Sequence, residues 1–198
     1  MKFLYIVTVL FLLSGCSVHS PTVSEYRIDA KPLTQPFSQT TCRDKSLKVS
    51  QAFSPSNLMT LKMNYGQGSH KQFVYSQSQW AQSPNSALTA ELVKFIKETR
   101  LFKNVQISKS RSKSDILLET NIEDFMQYFS KDETSSFSNV AITLTLIDIK
   151  TNSVISTKTF NSKVNVTSMN ASGGVIALNS ALKNVLLASG EWLGETCR

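Results

Sequence analysis

Seven separate stretches of alternating apolar and polar residues, two longer stretches with apolar residues three and four apart, and a length of 198 residues together predict an α+β fold. The expected architecture is a mainly antiparallel β-sheet with two amphipathic helices packed on one face, in two layers. The order along the chain is three strands, a helix, four strands and a second helix. Adjacent strands are joined by connections of hairpin length, which is what points to antiparallel pairing. Once the tails are set aside, about 150 residues remain, enough to bury one core without metals or several bridges. The composition, 41% hydrophobic and 18% charged with 7 Gly and 5 Pro, excludes a collagen, a coiled coil, a polytopic membrane protein and a disulfide-dense miniprotein.

Each element has its own signal. Residues 45–53 alternate Leu47, Val49 and Phe53 with polar neighbours, and residues 58–65 do the same with Met59, Leu61, Met63 and Tyr65, so both read as strands. Gly66-Gln67-Gly68-Ser69 is a turn, and residues 72–77, with Phe73, Val74 and Tyr75, return as its hairpin partner. Ser83-Pro84 supplies a cap and a proline at the first helical position. Leu88, Leu92, Phe95 and Ile96 then fall on one side of a helix, with Glu91, Lys94, Lys97 and Glu98 on the other. Residues 102–108 (Val105, Ile107) and 115–129 (Ile116, Leu118, Ile122, Phe125, Phe129) are strands, the second long enough that a bulge or bend is expected. Val140, Ile142, Leu144 and Leu146 alternate with small polar residues. Lys150-Thr151-Asn152-Ser153 turns that strand into its partner, residues 154–166. From Asn170, the residues Ala171, Val175, Leu178, Leu182 and Val185 mark a second helix running to about Trp192, its first turn weakened by Gly173-Gly174.

The first fifteen residues read as a targeting segment. Lys2 gives a positive start, and residues 3–13 form an apolar run broken only by Thr8, too short for the about 20 residues that a membrane-spanning helix needs. The run ends in Leu13-Ser14-Gly15-Cys16, which resembles the bacterial lipobox. Small residues let the extended chain enter the signal peptidase, and the Cys16 thiol accepts diacylglycerol before its freed amine takes a further acyl chain. An ordinary secretory signal that happens to end in a cysteine is the alternative. Each buried CH₂ contributes about 0.8 kcal/mol, so two or three chains anchor permanently where one does not. Ser17 replaces the Asp that retains lipoproteins in the inner membrane of enteric bacteria, and this favours the outer membrane facing the periplasm. Lys+Arg 21 against Asp+Glu 14 gives +7, or +6 once Lys2 is removed. Export argues against nucleic acid as the partner of that charge.

The chain therefore divides into a signal peptide (1–15), the lipidated cysteine with a flexible linker (16–42) and a folded domain (43–198). Residues 17–41 hold Pro21, Pro32 and Pro36 and show no sustained periodicity. Twenty-five flexible residues span about 25 to 30 Å and would let the domain stand off the membrane. Tyr26-Arg27-Ile28 is the one strand-like exception that could dock on the domain. With Cys16 consumed by lipid, Cys42 and Cys197 are left as an even pair in an oxidising compartment, and a disulfide between them is expected. The chain-entropy model gives about 5 kcal/mol as an upper figure for so long a loop. Two free thiols are the alternative. No metal site is expected, since only His19 and His70 could complete one.

Catalytic signatures are missing from the sequence: there is no Gly-x-Ser-x-Gly elbow, His-Glu-x-x-His, P-loop or Cys-x-x-Cys. Gly66-x-Gly68 lacks the following helix and the Lys-Ser/Thr pair of a phosphate cradle. Glu123-Asp124 and Asp132-Glu133 are paired acids, but neighbours in a strand point to opposite faces and do not converge without help. Lys109, Arg111 and Lys113 alternate with serines, so an extended segment would present all three on one face suited to anionic headgroups. A solvated turn before the next strand is the competing reading. No enzyme activity and no cofactor beyond the S-diacylglycerol and N-acyl groups on Cys16 is expected.

Several features taken together resemble the ABC-type transport auxiliary lipoprotein family, which includes the lipoprotein of the paraquat-inducible Pqi system. They are the lipobox at Cys16, the strand pair ending in Tyr65, Phe73-Val74-Tyr75 leading to Trp80 and Ser83-Pro84, and the helix with Leu88 and Leu92. Phe102-x-x-Val105, Asp115-Ile116-Leu117-Leu118, Leu146-Ile147-Asp148 and the closing Trp192 complete the set, over roughly residues 43–195. The resemblance implies a non-enzymatic outer-membrane lipoprotein that works with an MCE-type periplasmic protein and an inner-membrane ABC transporter, moving phospholipid or another apolar solute. Phospholipid itself and further copies of the chain are partners compatible with that role. A structural assembly factor of an outer-membrane machine, of the lipopolysaccharide-export or pilus type, is the alternative from a different class.

Overall fold

Residues 116–129 alternate buried and solvent-facing side chains and organise everything around them. In a computed structural model, which describes residues 22–31 and 42–196, they form β6 (Ile116–Phe129). The other strands are β1 (Ser24–Tyr26), β2 (Ser46–Val49), β3 (Lys62–Gln67), β4 (Lys71–Trp80), β5 (Asn104–Ile107), β7 (Ser136–Asp148) and β8 (Ser153–Asn165). Helix α1 (Pro84–Thr99) lies between β4 and β5, and α2 (Ala171–Thr196) closes the described chain.

One edge of β6 pairs with β7 along its whole length, and β8 continues the sheet beyond β7, both antiparallel. The other edge is shared. β2 runs parallel to residues 116–118 and β3 parallel to residues 127–129, with a single bridge from Phe53 to Asn121 between them. β5 extends the sheet beyond β2, and β4 then β1 extend it beyond β3. Four of the seven pairings are parallel, so the mainly antiparallel expectation is corrected to a mixed, open eight-stranded sheet. The hairpins expected at β3–β4 and β7–β8 form, and β6–β7 makes a third, whereas β5 and β6, though joined by a short connection, do not pair. β2 and β3, however, do not fold back on each other but lie end to end along β6. Pro55 makes the difference: its carbonyl accepts from the Leu58 N–H to start a 3-10 turn over Ser56–Met59. Residues 58–61 therefore leave the sheet, and strand resumes only at Lys62.

The expected bulge in the long strand is present. Ile122 pairs with Ile142 but Asp124 pairs with Ala141, which leaves Glu123 as the extra residue. The phase of the alternation shifts there, so that Ile116, Leu118, Thr120 and Ile122 before it and Phe125 and Gln127 after it are all buried. Without that shift Phe125 would point to the opposite face from Ile122.

Helix α1 starts at Pro84 and ends in a left-handed Arg100, whose N–H donates to the Lys97 carbonyl. α2 packs on β7 and β8, and α1 touches β5, β6 and α2. By length and composition α2 could cross a membrane, yet Val175, Leu178, Leu182, Val185 and Leu193 are buried in the same cluster as Leu118, Leu144 and Ile96. Two glycines let its first turn come close to the sheet and to the loop that leads into it. A Cβ on Gly174 would lie 1.8 Å from Gln127 Oε1, and one on Gly173 2.0 Å from the Ser168 carbonyl oxygen. The glycine pair that weakens the helix on propensity grounds is what its packing requires.

Part of the expected linker belongs to the fold. β1 pairs parallel with β4, Ser24 opposite Ser78 and Tyr26 opposite Trp80. Residues 27–31 then run across both helices. Asn179 of α2 accepts from the Asp29 N–H and donates to the Arg27 carbonyl, Glu91 of α1 accepts from the Ala30 N–H, and Lys94 lies 3.8 Å from Asp29.

Candidate functional site at the hairpin end of the sheet

Two groups of side chains gather where the β3–β4 and β6–β7 hairpins turn. The first is aromatic. Tyr65 on β3 stacks on its cross-strand partner Phe73, with centroids 5.5 Å apart, meets Tyr75 at 4.5 Å and meets the edge of Phe129 on β6 at 5.4 Å. Such pairs add about 0.5 to 1.5 kcal/mol each beyond area burial. The Tyr75 hydroxyl donates to Gln127 Oε1, whose amide in turn donates to Ser136 Oγ. Burial, and then the neighbouring Tyr65, hold the Tyr75 hydroxyl protonated well above the ordinary tyrosine range. Phe73 is 40% exposed and Val74 46%, so the hairpin presents apolar surface on both of its faces.

The second group lies on the strand face that carries Asn139 and Thr143. Lys163 Nζ sits 3.5 Å from the centroid of Phe137, which stacks on Tyr128 at 5.2 Å. The Tyr128 hydroxyl donates to Asp124 Oδ1 at 2.9 Å, and Asn139 Nδ2 donates to Asp124 Oδ2 at 2.8 Å. Partial burial raises the Asp124 carboxyl above its usual range against those two hydrogen bonds. Beside it, Glu123 accepts from Thr143, whose hydroxyl also meets Thr159. The bulge thus supplies the help that two adjacent acids need to share a face, and both line a groove of about 590 Å³ with Gln72, Leu58 and Tyr128. The second acid pair serves the turn: Asp132 caps residues 130–134, and Glu133 accepts from Gln67 to tie the two hairpin tips together.

The residues singled out from the sequence lie elsewhere. Lys109, Arg111 and Lys113 are exposed on the loop that crosses from β5 back to β6. This loop turns rather than extends. Ser110 and Ser112 hydroxyls bend in toward Gln106 Oε1, and Lys48 donates to the carbonyls of both serines from beneath, so the three cations remain outside. Cys42 is fully buried and not without a partner. Cys16 and Cys197 lie outside the described residues. His70 stands exposed on the β3–β4 turn, and among the described residues no group of three or more His, Cys, Asp or Glu is placed to hold a metal ion. The aromatic group could not be assembled from sequence, because Phe129 reaches Tyr65 only through a parallel pairing. The Asp124 network carried one signal, the bulge expected in the same strand.

A mixed eight-stranded sheet with two packed helices defines an α+β domain among the described residues. The chain belongs to the family of the ABC-type transport auxiliary lipoprotein component, whose model matches residues 26–188. Among solved structures it is similar to protein XCC0632 from Xanthomonas campestris, with a TM-score of 0.78 and 16% identity over 87% of this chain and 96% of that one. It is also similar to an uncharacterised protein at a TM-score of 0.66 and 14% identity, over 86% and 98% of the two chains. These likenesses concern the fold. No curated protein matches the chain.

Proposed function

We propose that this protein is a non-enzymatic, outer-membrane-anchored periplasmic lipoprotein, an auxiliary component of an ABC transport system that moves phospholipid together with an MCE-type periplasmic protein. The observation that carries the reading is the family match over residues 26–188, which starts ten residues after the lipobox cysteine. Cys16 bears the S-diacylglycerol and N-acyl groups and fixes the domain to the membrane. Ser17 supports outer-membrane sorting, and the missing catalytic motifs support action by contact. The buried Cys42 pairs with Cys197, the residue immediately after the end of α2, and so closes the domain on itself.

The test is a mild-detergent pull-down of the tagged native lipoprotein, with mass spectrometry of co-purifying proteins and lipids. Recovery of an MCE protein and its transporter is expected. Recovery of a lipopolysaccharide-export or pilus machine without an MCE protein would overturn the transport reading in favour of an assembly factor.

A further inference from the structure

The short distance between the lipidation cysteine and the first ordered pairing limits how the domain can sit. Ser24 comes eight positions after Cys16, a stretch that at full extension reaches about 26 to 29 Å. β1 is locked to β4 in parallel register, so traced back from Ser24 the chain heads the way β4 does toward Lys71, the turn of the β3–β4 hairpin. The registers also fix its height on the sheet. Ser24 is opposite Ser78, next to Gln79, which faces Lys62, and β3 in turn faces β6 with Tyr65 opposite Gln127. Ser24 therefore stands level with Phe125. From there the Phe129 end of β6 is about 13 Å away and the Ile116 end about 30 Å, at the strand rise per residue. The anchor reaches the hairpin end with slack, but falls short of the opposite end even when doubled back at full stretch.

What this end presents suits a lipid surface. Phe73, Val74 and Val23 are each at least 40% exposed, Phe73 stacks on Tyr65 of the Tyr65–Tyr75 pair, and aromatic rings with a polar tip partition to the headgroup layer. Lys71 and Lys131 lie at the two hairpin tips. The two acids of the β6–β7 tip are already engaged within the chain by Ser130, Thr134 and Gln67. Tethering also keeps the local lipid concentration high, so a weak interfacial affinity is enough to hold the contact.

We propose that the hairpin end of the sheet rests on the bilayer that holds the Cys16 anchor, with Phe73 and the Tyr65–Tyr75 pair at the headgroups and the Lys109–Arg111–Lys113 loop directed away from it. This rests on the lipidation of Cys16. The experiment is hydroxyl-radical footprinting of the full lipidated protein in vesicles of phosphatidylethanolamine and phosphatidylglycerol. It is compared with a form carrying sixteen inserted Gly-Ser residues after Ser20, ahead of the first strand. In the native protein, Phe73 and Tyr65 are expected to be oxidised several-fold less than in the insertion form, while Ile149 and Ile155 at the other end react equally in both. Equal reactivity of Phe73 in two vesicle-bound forms would overturn the orientation and leave the anchor standing. Failure of the native protein to float with vesicles would overturn both.

Discussion

Asp124 is held in its raised protonation range mainly by burial, against two donated hydrogen bonds. A folded-state pKa above the unfolded value means that the native state binds this proton more tightly. Its contribution to stability is therefore greatest at low pH and falls as pH rises from the ordinary aspartate value through the raised one. Other carboxylates act in the opposite sense, Asp115 being lowered by the Ser46 backbone N–H and then its hydroxyl, so the comparison has to be by variant. The stability of the native protein relative to Asp124→Asn is expected to decline with rising pH across that window, measured as denaturant midpoints. A difference independent of pH would contradict the assignment. Gly174 makes a simpler case. A methyl group there meets the Gln127 carbonyl oxygen at 1.8 Å, and Gln127 is only 2% exposed and bonded on both sides. Gly174→Ala should cost about 1 to 3 kcal/mol, seen as a lower thermal midpoint with the fold retained.

Among elements, the end of α1 shows a position where the sequence has not taken the most stable residue. Arg100 adopts φ 57°, which costs a non-glycine residue about 1 to 2 kcal/mol, part of which glycine gives back through the entropy of the unfolded chain. Arg100→Gly is expected to stabilise by about 0.5 to 1 kcal/mol, and calorimetry would read a raised midpoint. The start of this helix at Pro84, its apolar side and the bulge in β6 were legible because each depends on residues close in sequence. Strand partners were not. A hairpin announces itself by its turn, as at Gly66-Gln67-Gly68-Ser69, but the parallel alignment of β2 with β6 and of β1 with β4 joins segments far apart in sequence that no local pattern links. For the same reason the basic residues of the β5–β6 loop were legible as a row, while Lys48, which pins that loop from the sheet, was not. Tyr26 was legible as strand-like but not its partner Trp80, and that pairing brings part of the expected linker into the sheet.

For the whole molecule, the proposed bridge between Cys42 and Cys197 would join the first residue of the main described segment to the residue just past α2. Reduction should then lower the thermal midpoint by an amount equivalent to about 2 to 5 kcal/mol, and Cys42→Ala should remove the sensitivity to reductant. A midpoint unchanged by reductant in the native protein would show two free thiols. The shared edge of β6 bears on how such a chain comes to be folded at all. β2 and β3 both pair with β6, from which β3 is separated in sequence by a helix and two strands and β2 by a helix and three, so neither can be completed by local contacts. Closing those long loops is the slow part of assembly. When the chain emerges N-terminus first, β3 with its hairpin partner waits with one edge unpaired until residues 116–129 arrive. The strand that completes the fold is therefore also the one that withdraws an open edge from neighbouring chains.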